Sequence, residues 1–410
     1  MFGGDPLFSE GVDGGVVLVV LVKTLVTFAV LMVSVLFMVW FERKLVSDMQ
    51  NRIGPNRAGP WGILQTLADG IKLFFKEDLL PEQADRRIFR LAPYLSVVPA
   101  FLAFAIVPVG GEVTIAGHRT RLQLADPPVG ILFLLATSGI AVYGVMLAGW
   151  ASGSKYPLLG SVRASAQMVS YEAALGLSVA AVVLVTGSLL TSDIVAQQSR
   201  GLTDWNLFRL GFLPFFIFVV AATAELNRPP FDLVEAEQEL VGGFHTEYSS
   251  LRFALFFLAE FMSTVVMSAV IVTLFLGGPS GPAPDGGFLG AVVPVGWFLA
   301  KVMVFLFTYV WLRATLPRLR YDQLMDLGWK RLIPLSLFWL LVLAGMLVDA
   351  PTTQDGFLGA IMRRRYGFAV FAGGLLFGLL LMRAVQVGQD RTDAAAAAGR
   401  PAPAALEETS

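Results

Sequence analysis

Nine apolar stretches, most of them long enough to cross a lipid bilayer as a helix, constrain this chain more than any other feature. A bilayer core of about 30 Å requires about 20 apolar residues in a helix. Inside lipid every backbone N–H and C=O must be paired within the chain, so such stretches fold as helices. The predicted spans are residues 16–40, 91–109, 129–151, 164–186, 208–224, 252–276, 292–312, 332–348 and 367–384.

The composition agrees with this assignment, because only 15% of the residues are charged and 56% are hydrophobic. Soluble domains carry about 25% charged residues. We therefore predict an all-α polytopic membrane protein with about nine spans, or eight, since the last two stretches are short. The expected divisions are an N-terminal segment 1–15, a transmembrane core 16–348, an extra C-terminal hairpin or helix 349–384 and a disordered tail 385–410.

The distribution of lysine and arginine predicts the orientation, since cytoplasmic loops carry an excess of both. With the N-terminus outside, the inner segments hold 21 of the 30 cations and the outer segments hold seven. Loops 41–90, 225–251 and 313–331 are therefore expected in the cytoplasm. Arg363-Arg364-Arg365 would lie outside, so it either reaches the interface or the last hairpin differs from this prediction.

The first long loop contains a helical pattern. Apolar residues recur from Ile63 to Phe75 at the spacing of one helix face, with Asp69 and Lys72 between them. This pattern predicts an amphipathic helix that lies on the cytoplasmic membrane surface. The preceding segment Asn51–Pro60 is rich in Gly, Pro and Asn, which indicates an ordered loop of tight turns.

Acidic residues are concentrated in one segment. Six acids fall between Glu225 and Glu247, against one arginine, Arg228. Glu172 and Glu260 add two acids within predicted spans, where ionisable residues are costly and commonly functional. The alternative for each is a static neutral acid or a buried ion pair. Together these carboxylates predict a place that holds and passes protons.

Cations within the spans allow a similar choice. Lys301 lies near the middle of the seventh span, and we predict that it takes part in proton transfer, with an ion pair to an acid as the alternative. Lys23 is closer to a membrane face and is expected to reach it. The run Glu42-Arg43-Lys44 by itself fits ordinary cytoplasmic anchoring, and His245 fits a loop residue.

Several cofactor classes are excluded by composition. The chain has no cysteine and two histidines, so iron–sulfur clusters and haem are expected on other chains. No nucleotide fingerprint and no metal-ligand spacing is found. The net charge of −1 argues against nucleic acid as a partner.

A set of segments together resembles one protein family. They are Phe41–Lys44, Arg52–Arg57, Ala68–Phe74, Gln167–Glu172, Glu225–Phe244, Phe256–Glu260 and Arg313–Met325. From about residue 15 to 350 the chain is similar to the family of H subunits of the proton-pumping NADH–quinone oxidoreductase, respiratory complex I. Members of that family have eight or nine spans.

The resemblance implies a bacterial plasma-membrane subunit of an NADH:quinone oxidoreductase with quinone, either ubiquinone or menaquinone, as its substrate. It implies no metal, flavin or iron–sulfur cluster on this chain. The implied partners are the iron–sulfur subunits of the peripheral arm on the cytoplasmic face, small membrane subunits, antiporter-like subunits and the lipid bilayer.

The resemblance also assigns residues. A long-tailed quinone would pass between the surface helix and the first span, along Arg43 and Asp69. Further candidates for quinone binding are Glu42, Phe231, Phe244 and Arg313. The implied proton path is a chain of carboxylates, made of Glu172, Glu225, Glu235, Glu237, Glu239 and Glu260, to which we add Lys301.

Three other interpretations remain open on the sequence. The homologous membrane subunit of a membrane-bound hydrogenase would share the proton path and lack a quinone chamber. An ion-coupled transporter should carry paired interrupted helices, and no matching pair is found in the sequence. A purely structural anchor would not need its intramembrane acids.

Overall fold

The computed structural model describes residues 5–8, 11–115, 117–233, 240–284, 287–348 and 383. Within these residues, seven helices are long and apolar enough to cross a membrane, and an eighth apolar helix is shorter. The prediction of an all-α polytopic membrane protein is confirmed. The ninth predicted span and the tail lie outside the described residues apart from Arg383, as does part of the N-terminal segment.

The helices follow the predicted order along the chain. They are α1 Gly14–Met49, α2 Gln65–Phe74, α3 Arg86–Ala105, α4 Gly130–Ala151, α5 Lys155–Thr186, α6 Thr191–Gln197, α7 Asn206–Arg209, α8 Phe212–Glu225, α9 Ser250–Phe275, α10 Gly287–Thr315, α11 Tyr321–Asp326 and α12 Ile333–Val348, with a π-helical turn Leu327–Leu332 between the last two.

Helix ends differ from the predicted spans in a regular way. Helix α1 continues nine residues beyond the predicted end, to Met49, and α5 begins at Lys155 rather than at residue 164. At a rise of 1.5 Å per residue, α1 is about 54 Å long and exceeds the apolar core of a bilayer. Apolar runs mark the part of a helix that lies in lipid, whereas the helix itself continues into polar surroundings.

The fifth predicted span is broken. Residues 206–209 form α7, and α8 begins only at Phe212, after Gly211 with a φ of +79°. Helix α8 has 14 residues and is therefore about 21 Å long, shorter than the apolar core. A positive φ favours glycine, so Gly211 permits the change of direction that the apolar pattern did not reveal.

Helix α9 is central in the bundle. It packs against α1, α3 and α10, while α3, α4, α5 and α8 pack on one another in sequence. Its side chains Met262, Ile271, Val272 and Phe275 have no exposed surface. Helix α9 therefore connects spans from the first, middle and last parts of the chain.

The amphipathic helix is present as α2, and none of its side chains is buried. Its apolar face exposes Leu67, Ile71 and Phe74, which agrees with a helix that lies against lipid. The segment that follows α2 is attached to the start of α9. The Ser250 hydroxyl donates to the carbonyls of Leu73 and Lys76 at 3.0 and 2.8 Å.

A short β-hairpin was not predicted. Strands β1 Glu112–Ile115 and β2 His118–Arg121 pair antiparallel in the connection between α3 and α4. Asp5 joins this hairpin to α1, because its carboxylate accepts from Thr120 at 2.9 Å and from Lys23 at 2.8 Å. Burial alone raises the pKa of Asp5, but these bonds and one from Leu7 outweigh it and leave the pKa below its usual value. Lys23 therefore pairs within the protein rather than reaching a membrane face.

Close contact between α3 and α4 depends on Gly144. A Cβ atom there would lie 2.8 Å from the backbone nitrogen of Ser96 and 3.0 Å from the carbonyl carbon of Leu95. We expect Gly144→Ala to destabilise the purified protein by about 1–3 kcal/mol, as overpacking does. Gly176 on α5 has no atom within 4 Å of such a position, so Gly176→Ala is the matched control and should be neutral or slightly stabilising. Equal thermal midpoints in detergent for both variants would contradict the prediction.

Candidate functional site

The first part of the acidic segment folds back into the bundle. Helix α8 ends at Glu225, and Asn227 adopts a positive φ of +51° that reverses the chain. The Gln167 amide on α5 donates to the carbonyls of Ala224 and Phe231, each at 2.8 Å. One buried side chain thus holds both sides of the turn and sets the position of the residues between them.

Glu225 is buried between α5, α8 and α4. Its carboxylate lies within hydrogen-bonding reach of the Ser138 hydroxyl and close enough to Glu172 for the two charges to interact. The oxygen Oε2 is buried and has no hydrogen bond within the described part of the chain. The Oε1 atom of Glu172 faces α4 at Gly139. The structure therefore brings two of the predicted carboxylates together.

Arg228 occupies the centre of the site. Its side chain is 2% exposed, and its Nη1 atom donates to Glu42 Oε2 at 2.7 Å. Its Nε atom lies 3.2 Å from Glu260 Oε1, and the guanidinium lies 4.4 Å from the centre of the Phe261 ring. A buried cation requires nearby negative charge, and among the described residues two carboxylates, from α1 and α9, supply it.

Glu42 connects this buried cation with a second cation, the partly exposed Arg313. One carboxylate oxygen faces Arg228, and the other accepts a hydrogen bond from Arg313 on α10. Charges of alternating sign therefore follow one another from Arg313 through Glu42 and Arg228 to Glu260. We call these four residues the ion chain.

Two cavities lie at the two ends of the ion chain. The outer cavity is open to its surroundings and is lined by Glu42, Arg43, Arg52 and Arg313. The inner cavity is lined mostly by apolar side chains and includes Glu225 and Glu260 in its wall. The ion chain thus runs from a cavity with three arginines to a cavity with three carboxylates, those of Glu225, Asp232 and Glu260.

The residues predicted to bind quinone lie in different places. Glu42, Arg43 and Arg313 line the outer cavity, and Asp69 pairs with Arg43 at 2.5 Å. Phe244 lines the inner cavity. Phe231 packs in the core against Tyr171, with ring centres 5.8 Å apart.

The residues predicted for proton transfer are only partly gathered. Glu172, Glu225 and Glu260 lie around the inner part of the site, whereas Glu235, Glu237 and Glu239 fall outside the described residues. Lys301 lies elsewhere, on α10. Its ammonium group donates to three backbone carbonyls just beyond the C-terminal end of α9.

Arg228 and Gln167 are the residues that the predictions missed. Arg228 was noted only as the one cation among six acids, although a single cation in such a segment is itself a signal of pairing. Gln167 lies in a segment already identified by resemblance, five residues before Glu172. Its contact with the turn could not be read from the sequence, because it joins residues 57 and 64 positions apart.

Comparisons with known proteins agree on one family. A family model described as NADH dehydrogenase matches residues 22–344. Among similar proteins, the NADH-quinone oxidoreductase H subunit of Frankia alni is 53% identical over 358 residues, which cover 86% of this chain and 76% of that protein. The proteins of the same name from Frankia casuarinae and Streptomyces avermitilis are 52% and 46% identical, covering 88% and 98% of this chain and 79% and 86% of those proteins.

Removal of the buried cation should destabilise the protein strongly. Arg228→Met leaves the carboxylates of Glu42 and Glu260 without their shared partner, a change that costs about 3–5 kcal/mol in buried pairs. The thermal midpoint of the purified protein should fall accordingly. Adding Glu260→Gln should restore part of the loss, because one uncompensated charge disappears.

The matched control for Arg228→Met is Lys330→Gln. Lys330 pairs with Asp326 at 2.8 Å on an exposed helix face, where such pairs contribute about 0–1 kcal/mol. If both single variants shifted the midpoint equally, Arg228 would not be the central buried charge of the site.

Proposed function

This chain belongs to the NADH dehydrogenase family as a multi-pass membrane subunit of an NADH–quinone oxidoreductase, and we propose that it binds the quinone and couples quinone reduction to proton translocation. The observation that carries the proposal is the ion chain, which joins a cavity suited to an anionic head group to a cavity that holds carboxylates. Electrons reach the quinone from cofactors on other subunits.

The outer cavity is proposed to hold the quinone head. Quinone carbonyls accept hydrogen bonds, and negative charge develops on them as electrons arrive. Arg43, Arg52 and Arg313 offer donors and positive charge to such oxygens, and preorganised charges of this kind stabilise developing negative charge. The apolar tail would lie towards the lipid between α1 and α2, where Trp40 donates to the carbonyl of Trp61 at 3.0 Å.

The ion chain is proposed to transmit the charge change inward. A reduced quinone that attracts Arg313 weakens its bond to Glu42, which then interacts more strongly with Arg228. The interaction of Arg228 with Glu42 then strengthens at the expense of its interaction with Glu260. Unit charges about 4 Å apart interact by about 4 kcal/mol at an effective dielectric of about 20, enough to shift the proton occupancy of a neighbouring carboxylate.

Glu260, Glu225 and Glu172 are proposed to pass the proton onward. Glu260 and Glu225 share the inner cavity, and Glu172 lies beside Glu225 at the surface of α4. By resemblance, Glu235, Glu237 and Glu239 are proposed as further carboxylates of the same path. The path would lead towards the antiporter-like membrane subunits.

The proposed setting is a bacterial plasma membrane, with the N-terminus outside and the quinone-site loops in the cytoplasm. The excess of lysine and arginine in those loops supports this orientation. The iron–sulfur subunits would dock over the outer cavity on the cytoplasmic face. Tyr143, Met146 and Trp150 form an exposed apolar face on α4 that is available to small membrane subunits or lipid.

Neutral substitutions of the inner carboxylates should slow quinone turnover and proton translocation together. In the assembled enzyme, Glu225→Gln and Glu172→Gln are each expected to lower quinone-dependent turnover and proton translocation by at least about tenfold, because a proton-transfer group is lost. NADH oxidation with a water-soluble artificial acceptor should be unchanged. The exposed Glu112 serves as the control, as Glu112→Gln. Unchanged pumping and turnover in both variants would refute the proton path.

Loss of the outer cations should weaken quinone binding. Arg43→Gln is expected to raise the KM for a long-tailed quinone about tenfold, equivalent to about 1.4 kcal/mol, while Lys330→Gln leaves it unchanged. A photoreactive quinone should label residues of the outer cavity in the parent enzyme and less so in Arg43→Gln. Absence of any label on this chain during turnover would instead favour a hydrogenase-type subunit.

A further inference from the structure

Polar side chains bond to the backbone at the C-terminal end of α9, which is the end farther from Glu260. Gln198 at the end of α6 and Asn206 at the start of α7 are both completely buried, and Lys301 on α10 is half-buried. All three donate to backbone carbonyls of residues 273–280. We call these three residues the polar floor.

The ammonium group of Lys301 uses all its hydrogen-bond donors on this backbone. Its Nζ atom donates to the carbonyls of Leu276, Gly278 and Ser280 at 2.8, 2.9 and 2.7 Å. The face of the Trp205 ring lies 4.8 Å away on a fourth side. An ammonium group has three donors, so the three carbonyls satisfy all of them.

Gln198 and Asn206 complete the floor. The Gln198 amide donates to the carbonyls of Thr273 and Leu274, and its oxygen accepts from the backbone N–H groups of Asn206 and Gly277. The Asn206 side chain donates to Leu274 at 2.8 Å. The last carbonyls of α9 have no helical partner, and these contacts satisfy them inside the apolar bundle.

The polar floor lies beyond the inner cavity along α9. The inner cavity extends from Glu260 to Leu134 and Val270. A second, much smaller cavity shares both of those residues and reaches Thr273 and Leu274, with room for about one water molecule. The space beside α9 therefore narrows from the carboxylates towards the carbonyls that Gln198 and Asn206 hold.

We propose that the polar floor insulates the proton path, with the charge of Lys301 as the barrier that keeps protons from leaving the membrane at this end. A fixed cation in a narrow passage repels hydronium, as positive groups do in channels that exclude protons. This inference rests on the proposed proton path through Glu225 and Glu260, because insulation matters only where protons enter the bundle.

The same contacts argue against proton transfer by Lys301. Sixteen residues separate Glu260 from Leu276, a distance of about 24 Å along a helix. The acceptors around Lys301 are carbonyls, which do not take up or release protons near neutral pH. A relay group needs one partner that gives a proton and another that receives it, and the carbonyl cage supplies neither.

The test uses the assembled enzyme in liposomes without NADH or quinone, with an imposed pH gradient. Lys301→Gln keeps hydrogen-bond donors and removes the charge, and Lys301→Met removes both, whereas Lys301→Arg keeps the charge and is the control. We expect the passive decay of the gradient to be several-fold faster with Lys301→Gln and Lys301→Met than with the parent enzyme. With Lys301→Arg the decay should match that of the parent enzyme. Turnover with NADH and quinone should persist, with fewer protons moved per electron.

The double variant Lys301→Met with Glu225→Gln tests which route the leaking protons take. The leak in Lys301→Met should decrease in the double variant, because the carboxylate that feeds the passage is lost. A leak that persists unchanged would show that protons pass elsewhere and would refute the link to the proton path. Since the passive leak needs no turnover, it is measured separately from the quinone-coupled function.

Two results would overturn the insulating role itself. Lost pumping without any leak in Lys301→Gln would make Lys301 a relay group. Failure of both neutral variants to assemble, with normal assembly of Lys301→Arg, would reduce the polar floor to a structural cap of α9.

Discussion

One buried guanidinium, that of Arg228, determines how the spans meet. Inside a bundle of low dielectric it requires compensating carboxylates, and it finds Glu42 on α1 and Glu260 on α9. Those helices are far apart in sequence, so the ion pairs specify their mutual position in a way that non-directional apolar packing cannot. Gln167 contributes to the same result, since it holds the turn that presents Arg228 to both acids.

The spans and their acids could be predicted because lipid imposes a simple rule on composition and length. Glu172, Glu225 and Glu260 stood out as charges within apolar runs, and the structure places all three around one interior site. The ion chain could not be predicted in the same way. Arg228 and Glu42 are 186 positions apart, and periodicity carries no information on which distant charge is the partner.

The remaining differences come from short or irregular features. Strands of four residues, as in the hairpin at Glu112–Arg121, are too brief for an alternating pattern to be distinguished from a loop. The break at Gly211 depends on one backbone angle within an apolar run. The sequence identified Lys301 as a cation within a span but not its partners, which are backbone carbonyls at the end of another helix. Every residue has a backbone carbonyl, so the sequence does not indicate which ones bind a given side chain.

Under the two proposals above, helix α9 serves two opposite electrostatic requirements. The carboxylates of Glu260 and Glu42 both pair with Arg228. A change in the charge of one carboxylate therefore alters the interaction of Arg228 with the other. Around Leu276, the three donors of Lys301 bond to backbone carbonyls, which do not ionise. In the proposed roles, the group that transfers protons needs partners that give and receive them, whereas the blocking group has all its donors bonded to carbonyls. The hydrogen-bond partners, rather than the burial of an ionisable residue, therefore distinguish the two kinds of site.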